Sequence, residues 1–179
     1  MKLMSEEYLQ LLRKKHADKP WGGAGHTWAD HCSGYLDFIE PRPVTFLDYG
    51  CGRGTFKSSM EAQHPDEVVV HEYDPGIPEK SQWPEAADVV VCTDVLEHVE
   101  EQYVDDTLAA LAGLTKKFCF MVIACTLSYS TLPDGRNTHL TVQPPAWWKD
   151  KVKAGFGKEF DIHVVEQTKG RAIFSANRK

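Results

Sequence analysis

The chain has no apolar run approaching the roughly 18 residues that a membrane-spanning helix needs. Its first residues, from Met1 to Glu7, also lack the apolar stretch of a secretory leader. Cysteine is sparse: Cys32, Cys51, Cys92, Cys119 and Cys125 make an odd count of five, with no Cys-x-x-Cys pair and no metal-ligand spacing. A disulfide framework is therefore excluded and no metal site is expected. All but Cys32 fall in predicted strands or in a glycine turn, where cysteine behaves as a small apolar residue, and a reducing, cytoplasmic setting is the simple reading. A basic excess is missing too. Twenty Lys and Arg face 26 Asp and Glu, for a net charge of −6. The modest clusters at Arg13–Lys15 and Lys149–Lys158 read as solvated helix faces, which disfavours a nucleic-acid backbone as partner. What remains is an ordinary soluble composition with room for one domain and a sizeable core.

The most informative stretch runs from Val44 to Thr55. An apolar strand, Val44-Thr45-Phe46-Leu47-Asp48-Tyr49, enters a turn carrying Gly50, Gly52 and Gly54 around Cys51 and Arg53. Glycine at these positions permits a tight turn and lets a ligand approach the backbone without meeting a Cβ. Residues 55–63 have a helical pattern, so free N–H groups and the positive end of a helix dipole face that turn. Such a site suits an anionic or polar ligand. A dinucleotide fingerprint, Gly-x-Gly-x-x-Gly, would need its third glycine at position 55, which is Thr55; the glycine comes one residue early, at Gly54.

Two further segments extend the pattern. A second strand, Val68–Tyr73, ends at Asp74-Pro75-Gly76, and Asp74 lies 20 positions after Gly54. That is about the distance at which a βαβ unit puts a ribose-binding carboxylate, with Glu72 as competitor two residues earlier. The third segment is Ala87–Val99. Its apolar run 89–92 reads as a buried parallel strand, followed by Thr93-Asp94-Val95-Leu96-Glu97-His98-Val99.

Asp48-x-Gly50-x-Gly52-x-Gly54 resembles motif I of the class I S-adenosylmethionine (SAM)-dependent methyltransferases, and the Leu-Glu-His-Val segment resembles the one after strand 4 in that family. The resemblance covers residues 44–125 and extends more loosely to both ends. It implies a Rossmann-like α/β sandwich with a mostly parallel sheet and a closing antiparallel hairpin. It also implies SAM as cofactor, held by Asp48, Gly50, Cys51, Gly52, Gly54, Asp74, Thr93, Asp94 and Val95, with His98 at the border of the site. The family pattern is broken between Asp74 and Asp88. Those 13 residues include Pro75, Pro78 and Pro84, too few and too interrupted for a helix and a third strand. Helix B and strand 3 are expected to be shortened or lost. The acidic reader of adenine is then displaced, with Glu79, Ser81, Gln82 and Trp83 as candidate substitutes.

One domain is expected, in three parts: an N-terminal helical lid segment (1–43), the cofactor-binding core (44–125) and an acceptor-side insertion with the closing hairpin (126–179). Ser5 can cap a helix from Glu6 to His16 carrying Tyr8, Leu9, Leu11 and Leu12 on its apolar side. The run Lys19–His26 breaks that helix, and a second is expected over 27–39. Later elements are a helix over 100–112, a strand over 117–125, a helix over 144–154, and strands over 160–166 and 171–176 joined by a turn at Thr168–Gly170. Trp21, in an aromatic and glycine-rich segment, is a candidate lid over the cofactor. By the resemblance, residues 17–31 and 126–148 build the acceptor site. His139 could orient or deprotonate an acceptor there, since a near-neutral pKa suits that task, and His98 is the other candidate for proton chemistry. Of Trp147 and Trp148, one is expected against the sheet and the other free to line the acceptor pocket. The expected activity is methyl transfer to O or N of a small-molecule or glycan-like acceptor. A SAM-binding protein without turnover is the alternative, and the glycine spacing weakens a nucleotide-dependent oxidoreductase.

Overall fold

The computed structural model describes residues 2–18 and 21–179. The start of the predicted helix-breaking run, Lys19 and Pro20, lies outside the described residues, as does Met1. The helices are α1 (Glu6–Asp18), α2 (Ala29–Ser33), α3 (Thr55–Gln63), α4 (Val104–Leu114) and α5 (Pro145–Phe156). The strands are β1 (Val44–Tyr49), β2 (Val68–Tyr73), β3 (Ala87–Thr93), β4 (Thr115–Ala124), β5 (Phe160–Gln167) and β6 (Arg171–Arg178). They form one six-stranded sheet in the order β2-β1-β3-β4-β6-β5. β1 to β4 pair in parallel, and β6 inserts antiparallel between β4 and β5.

The parallel strands are buried on both faces, so their apolar residues run almost without interruption. Alternate positions serve opposite layers. Phe46, Val89, Val91, Phe120 and Val122 join Phe56 and Met60 of α3 on one side. Leu47, Val90, Cys92, Met121 and Ile123 meet α4 and α5 on the other. The facing helices obey the matching period: Val104, Leu108 and Leu111 on α4, and Trp148, Val152 and Phe156 on α5, are all buried at i, i+4, i+7 or i+8.

Most expected elements occur within a few residues of their sequence-based bounds. Ser5 caps α1, its Oγ accepting the N–H of Tyr8 at 3.1 Å. The helix expected over 27–39 is instead a series of short turns: a 3-10 turn at Gly25–Trp28, α2, and another 3-10 turn at Gly34–Phe38. Gly34 sits at the junction of the last two, where its backbone freedom weakens helix continuity. Between β2 and β3 there is only a 3-10 turn at Pro78–Lys80, so β2 is the edge of the sheet and the family's third strand is absent. The closing hairpin turns at Thr168, whose N–H donates to Arg171 O at 2.9 Å.

Trp148 is fully buried, while Trp147 is half-buried beside it and lies under Lys151 at 5.2 Å. Trp148→Ala is expected to destabilise the fold by about 3–5 kcal/mol, and Trp147→Ala by clearly less. Urea unfolding followed by circular dichroism of both variants checks this, and equal losses would contradict the assignment of Trp148 to the core.

Candidate functional site

A parallel sheet offers a crevice where neighbouring strands send their connections to opposite sides, at the carboxyl ends of the strands. Here that point lies between β1, which leads through α3 to β2, and β3 on its other flank. The turn after β1 is built on left-handed backbone: Gly50, Gly52 and Gly54 have φ of 80°, 49° and 73°. At Gly52 the geometry also excludes a side chain, because a Cβ would run into the carbonyl of Gly22. The Gly22 oxygen accepts the Arg53 N–H at 2.8 Å, so the segment entering residue 25 lies directly on the turn. The N–H groups of Gly50 and Cys51 both donate to Tyr73 O, which ties the turn to the end of β2.

A cavity opens beside this turn. Gly50, Gly52, Asp74, Asp94, Val95 and Trp21 line it, together with His98 and residues of α1. Six of the ten sequence-derived cofactor residues thus share one wall. The other four do not line it. Asp48 and Cys51 are buried, Gly54 lies at the start of α3, and Thr93 ends β3.

Asp74 serves the backbone first. Its Oδ2 accepts the Gly52 N–H at 3.0 Å and its Oδ1 the Gly76 N–H at 2.9 Å, with His16 Nε2 at 3.7 Å from Oδ1. Glu72, the competitor, is ion-paired to Lys80 at 3.1 Å, and the same ammonium donates to Gly52 O at 3.2 Å. Asp94 takes a left-handed φ of 55° at the exit of β3, a conformation that Asp tolerates better than most residues, and its carboxylate is exposed at the cavity rim.

α1 covers the cavity, a placement that helical periodicity alone does not give. Tyr8 and Leu12 of α1 pack with Leu132, Trp21 and Leu140, so α1 itself closes the cavity. Lys15 holds the helix to the opposite loop through Ser130 Oγ at 2.6 Å and Thr131 O at 2.7 Å. Tyr8 lines the cavity with a buried hydroxyl that has no hydrogen-bond partner. In the sequence it reads as one more apolar position of an amphipathic helix; nothing in its spacing separates a core tyrosine from a pocket one. The enclosed free volume is about 90 Å³, well under the roughly 300–1,000 Å³ of ligand clefts.

Of the two candidate catalytic residues, His98 lines the cavity and His139 packs against His98 outside that lining. The rings of His98 and His139, 41 positions apart in sequence, are 4.8 Å apart and perpendicular, and Trp21 packs edge-on to His98 at 5.0 Å. The long loop after β4 reaches back because two buried threonines anchor it. Thr141 N–H donates to Glu97 O at 3.0 Å, and Thr141 Oγ1 to Val99 O at 2.7 Å. His98 Nδ1 lies 2.7 Å from Thr138 O, and His139 Nδ1 lies 2.6 Å from Thr126 O. A carbonyl can only accept, so both Nδ1 atoms carry the proton and both Nε2 lone pairs are free. Burial brings the His98 pKa down to about 4, helped by His139 and Lys15 and opposed by the hydrogen bond to Thr138, so the ring is neutral at physiological pH. Burial pushes the neighbouring Glu97 up to about 8, with Asp94 adding to the effect.

The profile of a family described as a methyltransferase domain matches residues 8–161. The chain belongs to this methyltransferase family. Comparison with curated proteins gave no match. Among solved structures, the fold is similar to an O-methyltransferase family protein from Burkholderia thailandensis, with a TM-score of 0.58 and 14% identity over 87% of this chain and 58% of that one. Magnesium protoporphyrin IX methyltransferase from Synechocystis PCC 6803 superposes with a TM-score of 0.59 and 17% identity, covering 86% of this chain and 79% of that one. For 1,6-didemethyltoxoflavin-N1-methyltransferase from B. thailandensis the TM-score is 0.61 at 15% identity, over 100% and 92% of the two chains. The chain thus spans a little over half of the first of these proteins and most of the other two. At these identities the likeness is one of fold. Among the described residues, no helix is long and apolar enough to cross a membrane.

Asp48 yields a pH prediction. Burial raises its pKa to about 7, with Glu72 adding to the rise and Lys80 opposing it. An acid whose folded pKa lies above its unfolded value contributes stability at low pH and loses it as pH rises through the folded pKa. Asp48→Asn is therefore expected to raise Tm more at pH 8.5 than at pH 5.5. Thermal melts at the two pH values check this; a gain independent of pH would mean the carboxyl is ionised throughout.

Proposed function

We propose that the chain is a SAM-dependent methyltransferase that transfers the cofactor's methyl group to an O or N atom of a small-molecule acceptor. The observation that carries this reading is convergence: the glycine turn, the acid after β2, the loop after β3 and Trp21 all border one cavity at the switch point of the sheet. The chemistry of that lining fits the cofactor. Gly50 and Gly52 leave backbone open to it, Asp74 and Asp94 offer acceptors for its hydroxyl and ammonium groups, and the unpartnered Tyr8 hydroxyl supplies a donor. When bound, SAM supplies a methyl group on a sulfonium leaving group, so little further activation of the donor is required. The protein's own part is alignment and exclusion of water. α1 and Trp21 close over the cavity, while His98 and His139 present free Nε2 lone pairs at the acceptor end.

A small-molecule acceptor, a glycan-like metabolite included, is supported by the net charge of −6 and by fold neighbours named for porphyrin and toxoflavin substrates. The division into an N-terminal lid (1–43), a cofactor core (44–125) and an acceptor side with hairpin (126–179) belongs to the same reading. So does a cytoplasmic location, which the five free, buried cysteines fit.

Calorimetric titration with SAM, S-adenosylhomocysteine and NAD tests the proposal. Binding of the two sulfur ligands and not of NAD is expected, and the reverse pattern would overturn it. Tyr8→Phe should weaken SAM by about 1 kcal/mol without loss of Tm, as expected for one lost hydrogen bond. Asp74→Ala should weaken it by about 1–3 kcal/mol, whereas an unchanged affinity would transfer the ribose role to Glu72. SAM binding without turnover across an acceptor panel would favour the non-catalytic alternative.

A further inference from the structure

A carboxylate oxygen of Glu97 and one ring nitrogen each of His98 and His139 lie within 4.8 Å of one another. Glu97 has no exposed surface. Its Oε1 accepts the Ala124 N–H at 3.1 Å, while Oε2 is buried with no hydrogen-bond partner. A buried polar oxygen left without a partner carries an uncompensated desolvation penalty, larger when charged. The two imidazoles beside it are oriented by backbone carbonyls through Nδ1, which leaves Nε2 free. Metal-ligating histidines are characteristically oriented in this way. Two imidazoles and a carboxyl group converge within 4.8 Å, with no cation in contact with Oε2 among the described residues, and together make a donor set of the kind that holds a metal ion.

We propose that Glu97, His98 and His139 together bind one divalent transition-metal ion of the zinc, cobalt or manganese type. Nitrogen and oxygen donors in this ratio suit such ions over magnesium or calcium, which prefer oxygen alone. Closing to bonds of about 2.0–2.2 Å draws the three donors together from within 4.8 Å, with His139, on the long loop, as the member that adjusts. Three protein ligands leave a position open for water or substrate. Because His98 also lines the cofactor cavity, a group bound at that position faces the methyl donor. The natural occupant is an acceptor hydroxyl. Coordination lowers its pKa and its proton passes to solvent. The oxygen lone pair then forms the new C–O bond as the C–S bond breaks, giving the methyl ether and S-adenosylhomocysteine. In this arrangement both histidines act as ligands rather than as bases. The acceptor role rests on the methyltransferase reading; ion binding does not.

The test is titration of chelator-treated protein with Co²⁺, followed by visible absorption and calorimetry, with Zn²⁺ as competitor. Saturation near one equivalent, with cobalt bands that Zn²⁺ abolishes, is expected. His139→Ala, on a loop and without effect on Tm or circular dichroism, should weaken Co²⁺ binding by more than about tenfold, and Glu97→Gln should do the same. No saturable binding to the wild-type protein, or undiminished binding to His139→Ala, would overturn the site. SAM titration of the metal-free protein separates the two proposals. SAM binding without cobalt binding overturns only the metal site, and cobalt binding without SAM binding overturns only the cofactor assignment.

Discussion

Everything in the site depends on one close backbone approach, that of Gly22 onto Gly52. Gly22 and Gly52 both adopt positive φ, and neither has a side chain to hold the two segments apart. Around that contact the turn after β1 collects hydrogen bonds from every direction: Tyr73 O from β2, Asp74 from the turn beyond it, Gly22 O from the N-terminal segment and Lys80 from the short β2–β3 connection. A single Cβ at position 52 would meet the Gly22 carbonyl and would push the strap, Trp21 and the roof away from the sheet. The cofactor cavity and its cover are thus one mechanical unit.

The loss of the strand between β2 and β3 has a consequence at this unit. In place of an outer strand, the 3-10 turn at Pro78–Lys80 brings Lys80 back to the glycine turn, where its ammonium sits between Glu72 and the Gly52 carbonyl. That charge partly offsets the crowding of Asp48, Glu72 and Asp74 at the strand ends, and Lys80 lowers the pKa of Asp48 against the stronger effect of burial. A shortened connection therefore replaces secondary structure with an ion pair placed where carboxylates converge.

The end of the site around His98 obeys a different logic. Its polar groups are fixed by backbone carbonyls and not by other side chains: His98 on Thr138, His139 on Thr126, Thr141 on Val99. The arrangement orients two imidazoles and leaves the Glu97 Oε2 without a hydrogen-bond partner. Buried polar groups are normally satisfied, so this unpartnered oxygen beside two oriented histidines is the observation on which the proposed metal site rests.

Local physical rules carried much of this in the sequence. Continuous apolar runs identified β1, β3 and β4, because strands covered on both faces have no polar side to display. Glycine spacing located the turn, since only positions without Cβ accept its backbone, and the three prolines after Asp74 signalled the missing strand. The short-range signals misjudged the segment 27–39, where Gly34 and packing against α3 divide one helix into turns. They were silent on what depends on distant partners. Tyr8 has the spacing of a core residue, Glu97 that of an exposed glutamate, and His98 and His139 stand 41 residues apart. Which oxygen is left unpaired, which ring faces which, and whether a helix roofs a cavity are decided when the loop after β4 and α1 close over the strand ends. The sequence by itself determined the sheet, the glycine turn and the family. The tertiary structure alone decided how α1 and Trp21 pack over the cavity and that Glu97, His98 and His139 meet, because contacts between elements far apart in the chain have no periodicity for a sequence to display.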